Sequence, residues 1–154
     1  MEEHVEFVEA VAKLTNCRKS SRKMRLVADL IRGKKVYNKK EKVKETNYMG
    51  VEQALGILKY TKNAGSRFIE KILLSAIANW SVLTGEEADE YDLVVKAIWV
   101  DQGTQLKRFR PAPHGRAHRI RKHSCHITLV VENTAALPVR EVETEDAVEL
   151  EETE

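Results

Sequence analysis

The segment from Gly103 to His126 constrains the fold more than any other part of this chain. It carries seven Lys or Arg residues and four of the five histidines, and it contains no Asp or Glu. Like charges at this density repel one another, so we do not expect the segment to pack into a core of its own. A dense polyanion such as nucleic acid would neutralise it. The run therefore favours a binding protein over an enzyme.

Apolar residues at alternating positions flank this run, over Leu93–Asp101 before it and Ile127–Val131 after it. Between them the sequence PAPHG, which begins at Pro111, has the residue types of a turn. These signals predict a β-hairpin over about residues 101–127, and at about 3.3 Å per residue its arm would project roughly 35–40 Å. Isolated two-stranded ribbons are marginally stable in water, so we expect the arm to be mobile until it meets its partner.

Charge is distributed unevenly along the 154 residues. The net charge of +2 combines −3 over residues 1–15, +13 over residues 16–126 and −8 over residues 127–154. A chain of this length forms about one domain. We predict a single domain over residues 1–133 and an acidic, disordered tail over residues 134–154. The basic middle part favours contact with nucleic acid.

The body is predicted to contain about three helices. The clearest has Ser20 as its N-cap and ends at Gly33 in the left-handed conformation. Two more are predicted over Val51–Tyr60 and Ser66–Leu83 from their apolar spacing. The buried stripe of the first helix is predicted to consist of Met24, Val27, Leu30 and Ile31.

Strands are predicted on either side of these helices. Val5, Phe7 and Val11 indicate an N-terminal strand that ends near Leu14, whereas Lys34–Met49 has no clear period and is predicted to be a loop or a frayed helix extension. The predicted fold class is α+β. It consists of a small body of about three helices packed on a three-stranded antiparallel sheet, with a long protruding β-hairpin.

Histidines and a cysteine near the hairpin raise the question of a metal or catalytic site. Zinc needs three or four converging ligands, yet the spacing matches no CxxC pairing and the nearby cations would oppose a divalent ion. A cysteine–histidine nucleophile would lack a local carboxylate to orient it. We therefore predict no metal, no cofactor and no catalytic residue from the group formed by His114, His118, His123, Cys125 and His126.

The cellular compartment is predicted from what the sequence lacks. Cys17 and Cys125 lie far apart and suggest no disulfide framework. The acidic N-terminus does not resemble a secretory signal, and no apolar run approaches the roughly 20 residues that span a bilayer. We expect a soluble, cytoplasmic protein without a membrane partner.

The first predicted helix and its flanks form a second basic cluster, in which Asp29 is the one acid between residues 16 and 35. Arginine binds phosphate bidentately and stacks on bases, which favours RNA. A ribbon between RNA helices would read shape and phosphates, and the lack of an exposed aromatic pair argues against a platform for stacking bases. The cluster consists of Arg18, Lys19, Arg22, Lys23, Arg25, Arg32, Lys34 and Lys35.

Several blocks of residues, taken in order, carry a family resemblance. They are Ser20-x-Arg22-Lys23-x-Arg25-Leu26-Val27-Ala28-Asp29-Leu30-Ile31-Arg32-Gly33-Lys34, Ala54-Leu55-x-Ile57-Leu58, Ser75-Ala76-x-Ala78-Asn79, Leu106-Lys107-Arg108, Gly115-Arg116-Ala117 and His126-Ile127. Over about Glu9–Glu132 the chain resembles the bacterial form of the large-subunit ribosomal protein twenty-two family.

The resemblance implies a structural protein that binds large-subunit rRNA, aids assembly and puts its hairpin tip in the wall of the peptide exit tunnel. It implies contacts with neighbouring ribosomal proteins, and with the nascent polypeptide at a tip formed by Pro111, Ala112, Pro113, His114, Gly115 and Arg116. The expected RNA-binding residues of the body are Arg18, Ser20, Arg22, Lys23, Arg25, Arg32 and Lys34. Those of the hairpin are Lys107, Arg108, Arg110, His114, Arg116, His118, Arg119, Arg121 and Lys122.

The sequence departs from the family pattern at several positions. Ser21 stands where Pro is usual, Pro113 stands near a usual Arg, Trp80 replaces a small residue, and Lys39–Met49 is longer than usual. An alternative function stays open at this point, that of a non-ribosomal RNA chaperone whose acidic tail masks the basic arm.

Overall fold

The computed structural model describes residues 7–38 and 43–134, with the side chains of residues 34–38, 43–46 and 90 left undescribed. Val5 and nearly all of the predicted acidic tail therefore lie outside the described residues. The helices are α1 (Ser21–Ile31), α2 (Val51–Tyr60) and α3 (Ser66–Thr84), and a single 3₁₀ turn spans Ala88–Glu90. The strands are β1 (Glu9–Cys17), β2 (Lys34–Asn38), β3 (Val43–Asn47), β4 (Met49–Gly50), β5 (Leu93–Gln102), β6 (Leu106–Pro111), β7 (Ala117–Lys122) and β8 (Cys125–Asn133).

The body is an antiparallel sheet in the order β1-β8-β5-β4, with α3 packed against β1 and β8 and α1 packed against β5. The predicted α+β class, the helices and the protruding hairpin are confirmed. The two-residue strand β4 adds a short fourth strand to the three that were predicted. Large apolar side chains fill the space between helices and sheet; those that are fully buried include Met24, Ile31, Leu73, Trp80, Ile127 and Leu129.

Strand β1 turns its smaller side chains toward the helices. Ala10 and Ala12 are buried, whereas Phe7 and Val11 are 54% and 51% exposed. The N-terminal strand predicted from Val5, Phe7 and Val11 is present as β1, and it extends to Cys17 rather than ending near Leu14. Alanine fits here because α3 lies directly on the strand, and Asn79 of α3 donates from Nδ2 to the Val11 carbonyl at 3.0 Å.

Helix α1 begins after Ser20, whose carbonyl accepts from two N–H groups of the first turn while its side chain makes no capping bond. Ala28 belongs to the buried face, whereas Leu30 is 45% exposed, so the predicted stripe is wrong at Leu30. Gly33 does not have the positive φ that we expected. Glycine is needed there because a Cβ would stand 2.6 Å from the Asn47 carbonyl oxygen.

The described residues after α1 form the two strands β2 and β3 rather than the loop or frayed helix extension predicted over Lys34–Met49. Strands β2 and β3 pair antiparallel from Lys34 opposite Asn47 to Asn38 opposite Val43. Helix α2 has the predicted bounds, and α3 extends one residue further than expected before Gly85 ends it at φ 70°. None of the helices in residues 7–38 and 43–134 has the length and hydrophobicity needed to cross a membrane.

Candidate nucleic-acid interface

The basic run of the sequence forms a two-stranded ribbon, Leu106–Lys122, which we call the arm. Strands β6 and β7 pair from Leu106 opposite Lys122 to Pro111 opposite Ala117. From Lys107 to Lys122 every side chain except that of Ala112 is exposed. The arm therefore buries almost no apolar surface of its own and projects from the body as predicted.

The tip of the arm is a tight turn. In the turn Pro113–Arg116 the central residues His114 and Gly115 have φ values of 61° and 70°, and the Arg116 N–H donates to the Pro113 carbonyl at 3.5 Å. Positive φ at both central positions is what a type I′ hairpin turn requires, and its twist matches that of the flanking strands. Histidine tolerates this conformation better than β-branched residues do. The structure thus places the turn inside the predicted segment Pro111–Arg116.

Cations lie on both faces of the arm. Alternate residues of a strand point to opposite faces, and the register aligns the two strands. One face carries Arg108, Arg110 and Lys122 together with His118 and Ile120. The other face carries Lys107, Arg119 and Arg121 together with Phe109, which is 71% exposed. A ribbon with this distribution can be surrounded by polyanion, whereas a ribbon that lies on a surface needs cations on one face only.

The charges of the arm have no counter-charge within the described residues. The ion pairs found there lie on the body, where Arg32 pairs with Asp29, and Lys96 pairs with both Glu9 and Glu132. On the arm, Lys107 lies directly opposite Arg121, and like charges in that position destabilise a strand pair. An external polyanion is therefore the natural source of compensating charge.

A basic groove of about 620 Å³, here called the root groove, lies where the arm joins the body. It brings together Arg18, Ser20 and Lys23 from the start of α1 with Lys122 from the arm, all of them predicted contacts. Lys19 and His123 also line it and were not among the predicted contacts, although each is a direct sequence neighbour of one. Because the Ser20 hydroxyl makes no capping bond, it is free to bind a ligand in this groove.

Two of the predicted RNA-binding arginines bind the backbone of the sheet. Arg25 donates to the Val100 carbonyl from Nε at 3.1 Å and from Nη2 at 2.9 Å, and Arg32 donates from Nη2 to the Ile98 carbonyl at 2.8 Å. These carbonyls lie on the edge of β5 beyond its short pairing with β4. The guanidinium groups thus cover an open sheet edge, a role that no sequence pattern indicated. Arg22 and Lys23 are exposed as predicted, whereas the side chain of Lys34 is not described.

Hydrogen bonds fix the arm to the body at its root. The Gly103 N–H donates to the Ser124 carbonyl at 2.9 Å, and the Ser124 hydroxyl donates to the Thr104 carbonyl at 2.5 Å. On the neighbouring strand a bulge places Asn16 at φ 55°, and its N–H donates to Nδ1 of His126 at 3.1 Å. The direction of the arm is therefore set by the body.

The histidines and cysteines near the root have structural surroundings. Cys17 and Cys125, distant in sequence, lie opposite each other in the register of β1 and β8, and both are buried free thiols. Burial, and secondarily the neighbouring Cys17, raises the pKa of Cys125 to about 11, so its thiol stays protonated at neutral pH. Among the described residues no group of three or more His, Cys, Asp or Glu side chains converges as metal ligands would.

Comparison with known proteins adds a family relationship. The sequence profile of the family described as "Ribosomal protein L22p/L17e" matches residues 38–132. The chain is 53% identical over 124 residues to the large ribosomal subunit protein uL22 of Christiangramia forsetii, covering 79% of this chain and 80% of the relative. It is 52% identical over 123 residues to the protein of the same name from Flavobacterium johnsoniae, covering 79% of each. For that of Bacteroides fragilis strain YCH46 the identity is 47% over 122 residues, again with 79% of each chain covered.

Proposed function

Because the chain belongs to the ribosomal protein L22p/L17e family, we infer that it is a structural constituent of the large ribosomal subunit and binds large-subunit rRNA. The observation that carries this proposal is the arm, which exposes cations on both faces, contains no acid and has almost no core of its own. RNA phosphates on both sides would supply the missing counter-charge.

The arm and the root groove are the proposed RNA contacts of the described structure. The arm threads between RNA segments, with Lys107, Arg119 and Arg121 binding on one side and Arg108 and Arg110 on the other. Because arginine forks bind phosphate bidentately, the arm favours phosphate and shape over base identity. The remaining proposed contacts are Arg18, Ser20, Arg22, Lys23, Arg25, Arg32, Lys34, His114, Arg116, His118 and Lys122.

Arg25 and Arg32 would bind RNA in a limited way. Each guanidinium has five N–H donors; the carbonyls of β5 already take two from Arg25 and one from Arg32, and Nη1 of Arg32 also pairs with Asp29. The donors that are left can face a phosphate while the bonds to the sheet persist. In this proposal they position the sheet edge and add charge, whereas Arg22 and Lys23 bind as free side chains.

The tip, Pro111–Arg116, is proposed to form part of the wall of the peptide exit tunnel and to contact the nascent polypeptide. Support comes from its place at the far end of the arm and from its compact turn, which exposes the His114 side chain. Neighbouring ribosomal proteins would contact the body. The alternative of a non-ribosomal RNA chaperone gains no support from the described residues or from the relatives.

Sedimentation tests the proposal. We expect the full-length tagged chain to migrate with large ribosomal subunits, and we expect Arg108→Ala with Arg119→Ala, one change on each face of the arm, to reduce its incorporation. Glu143→Ala is the control and should leave incorporation unchanged. A wild-type chain that stays in the free fractions while subunits assemble around it would contradict the proposed function.

A further inference from the structure

A second basic groove lies on the body, at the turn between α2 and α3. It has a volume of about 910 Å³ and is lined by residues from Leu58 to Lys71. Its side chains include four cations, one acid and one tyrosine, and we call it the turn groove. These residues are Lys59, Tyr60, Lys62, Glu70, Lys71 and Arg67.

The cations of the turn groove are available to a ligand. Lys59, Lys62, Arg67 and Lys71 are exposed, and none forms a hydrogen bond or ion pair with another residue of the described ranges. The groove therefore has a surplus of positive charge that Glu70 offsets only in part. Four cations around one concave surface match a ligand with several negative charges along its length.

The backbone of the turn is rigid, so the groove is formed before a ligand arrives. The Thr61 hydroxyl donates to the Ile57 carbonyl at 2.6 Å, and the single O–H of Ser66 is shared between the carbonyls of Asn63 and Thr61, at 2.8 and 3.1 Å. The hydroxyl groups of Thr61 and Ser66 thus bond to backbone carbonyls of the turn and the end of α2, whereas the lysine side chains of the groove are exposed to solvent. A preformed groove loses less conformational entropy on binding.

Tyr60 supplies an aromatic surface beside these charges. Its side chain is 84% exposed at the end of α2, which is more than that of any other aromatic residue described. An aromatic ring next to cations is the arrangement on which an unpaired base stacks while its phosphates bind the cations. No exposed aromatic pair was predicted from the sequence, and in this groove Tyr60 offers a single exposed ring on which one base could stack.

The turn groove borders the root groove. Lys19 lines the root groove, and its Nζ lies 5.8 Å from the ring centroid of Phe68, which lines the turn groove. Gly65 packs on α1 so closely that a Cβ there would stand 2.8 Å from Met24 Sδ. The beginnings of α1 and α3 are therefore side by side, and the two grooves are neighbours on the surface of the body.

We propose that the turn groove binds an unpaired segment of large-subunit rRNA, with phosphates on Lys62, Arg67 and Lys71 and a base stacked on Tyr60. This inference rests on the proposed function and extends the RNA contact from the arm across the body. A neighbouring protein with an acidic segment is the competing ligand, and the test separates it from RNA.

The test measures binding of the full-length chain to deproteinised large-subunit rRNA by filter binding over a salt series. Lys62→Gln with Lys71→Gln should make the slope of log K against log[salt] shallower by about 1.4–1.8, or about 0.7–0.9 per lost contact. Tyr60→Ala should weaken binding at least about fivefold, whereas Tyr60→Phe retains the ring and should bind as the wild type does.

Glu70→Gln is the matched control, because it removes a charge of the opposite sign from the same groove. It should tighten binding, by at most about fivefold, the effect of a unit charge about 4 Å from a phosphate in water. Weaker binding by Glu70→Gln would mean that changes here act through the fold, and would overturn the inference. Melting temperatures of all variants should match the wild type, since these side chains are on the surface.

Hydroxyl-radical footprints separate this inference from the proposed function. The Lys62→Gln, Lys71→Gln variant, which we call the groove variant, should lose protection at one set of nucleotides. A variant with Arg108→Gln and Arg119→Gln on the arm should lose protection at another set. If the wild type binds this rRNA specifically and the groove variant keeps its full affinity and footprint, the turn groove does not bind RNA and the proposed function stands. A wild-type chain that binds unrelated RNA equally well overturns both.

Discussion

Neutralising one face of the arm at a time tests whether RNA surrounds it. Arg108 and Arg110 lie on one face, and Lys107 and Arg121 lie on the other. We compare a variant with Gln at the first pair with a variant with Gln at the second. Each loses two exposed cations, so the two variants are matched in charge and change opposite faces of the arm.

The magnitude follows from the number of cations. Gly103–His126 has seven Lys or Arg residues. If all seven bind phosphate, they contribute about −5 to −6 to the slope of log K against log[salt], at about 0.7–0.9 per contact, and contacts of the body add to this. Raising the salt from about 50 to about 200 mM should then weaken binding by at least about 10³-fold. Each double variant should make the slope shallower by about 1.4–1.8.

The assay is filter binding of the full-length chain to deproteinised large-subunit rRNA. Equal losses for the two variants are the expected result, and the combined variant should show their sum, because contacts on opposite faces share no partner. If one variant loses slope and the other does not, the arm lies on an RNA surface with one face in water. That result would refute the conclusion drawn from the two-faced distribution of charge.

Three further predictions concern the body. Arg25→Met should lower the free energy of unfolding, measured by urea titration, by about 1–2 kcal/mol, because the Val100 carbonyl loses its charged donor. Arg22→Met, on the exposed face of the same helix, is the control and should change the free energy of unfolding by less than about 0.5 kcal/mol. Ala10→Leu should lower it by about 1–3 kcal/mol through overpacking under α3, a loss visible as a lower Tm; an unchanged Tm would show that α3 does not lie on this strand. The pKa of Cys125 is raised from its ordinary value of 9.0 to about 11 in the fold, so the stability that its protonated thiol contributes is present below pH 9.0 and is lost as the pH rises toward 11. Alkylation of Cys125 at pH 8 should be far slower in the folded chain than in the urea-unfolded chain.

Sequence reasoning succeeded where one local signal determines the structure. The bounds of α2 and the start of α3 follow from apolar spacing, and the hairpin follows from two alternating segments around a turn sequence. Sequence reasoning failed for features that depend on contacts between residues far apart in the chain. Val11 is more apolar than Ala10, yet Ala10 is buried because only a small side chain fits under α3. Gly33 is required by the Asn47 carbonyl, which belongs to a strand pair that the sequence did not predict.

The residues of the candidate interface likewise fall into those that the sequence predicted and those that only the fold brings together. The arm and the start of α1 were predicted as basic clusters, because a run of like charge is visible without any fold. The turn groove was missed because its cations are spaced along α2, the turn and α3 among apolar core residues, and only folding collects them. Arg25 and Arg32 show the converse, since they belong to a basic cluster in sequence but face the edge of β5 in the structure.

The structure also explains how an arm without a hydrophobic core of its own keeps a defined direction relative to the body. Strands β5 and β8 pair along the body as far as Gln102 opposite Cys125, and the hydrogen bond from the Gly103 N–H to the Ser124 carbonyl follows directly. The arm is thus attached to a folded body. If RNA binds in the root groove first, the body is held on the RNA before RNA segments contact both faces of the arm. A body that binds first makes the contact between the arm and the RNA intramolecular, which raises the effective concentration of the arm. Variants of the root groove, such as Lys23→Gln, should therefore slow association with rRNA, whereas arm variants should mainly speed dissociation.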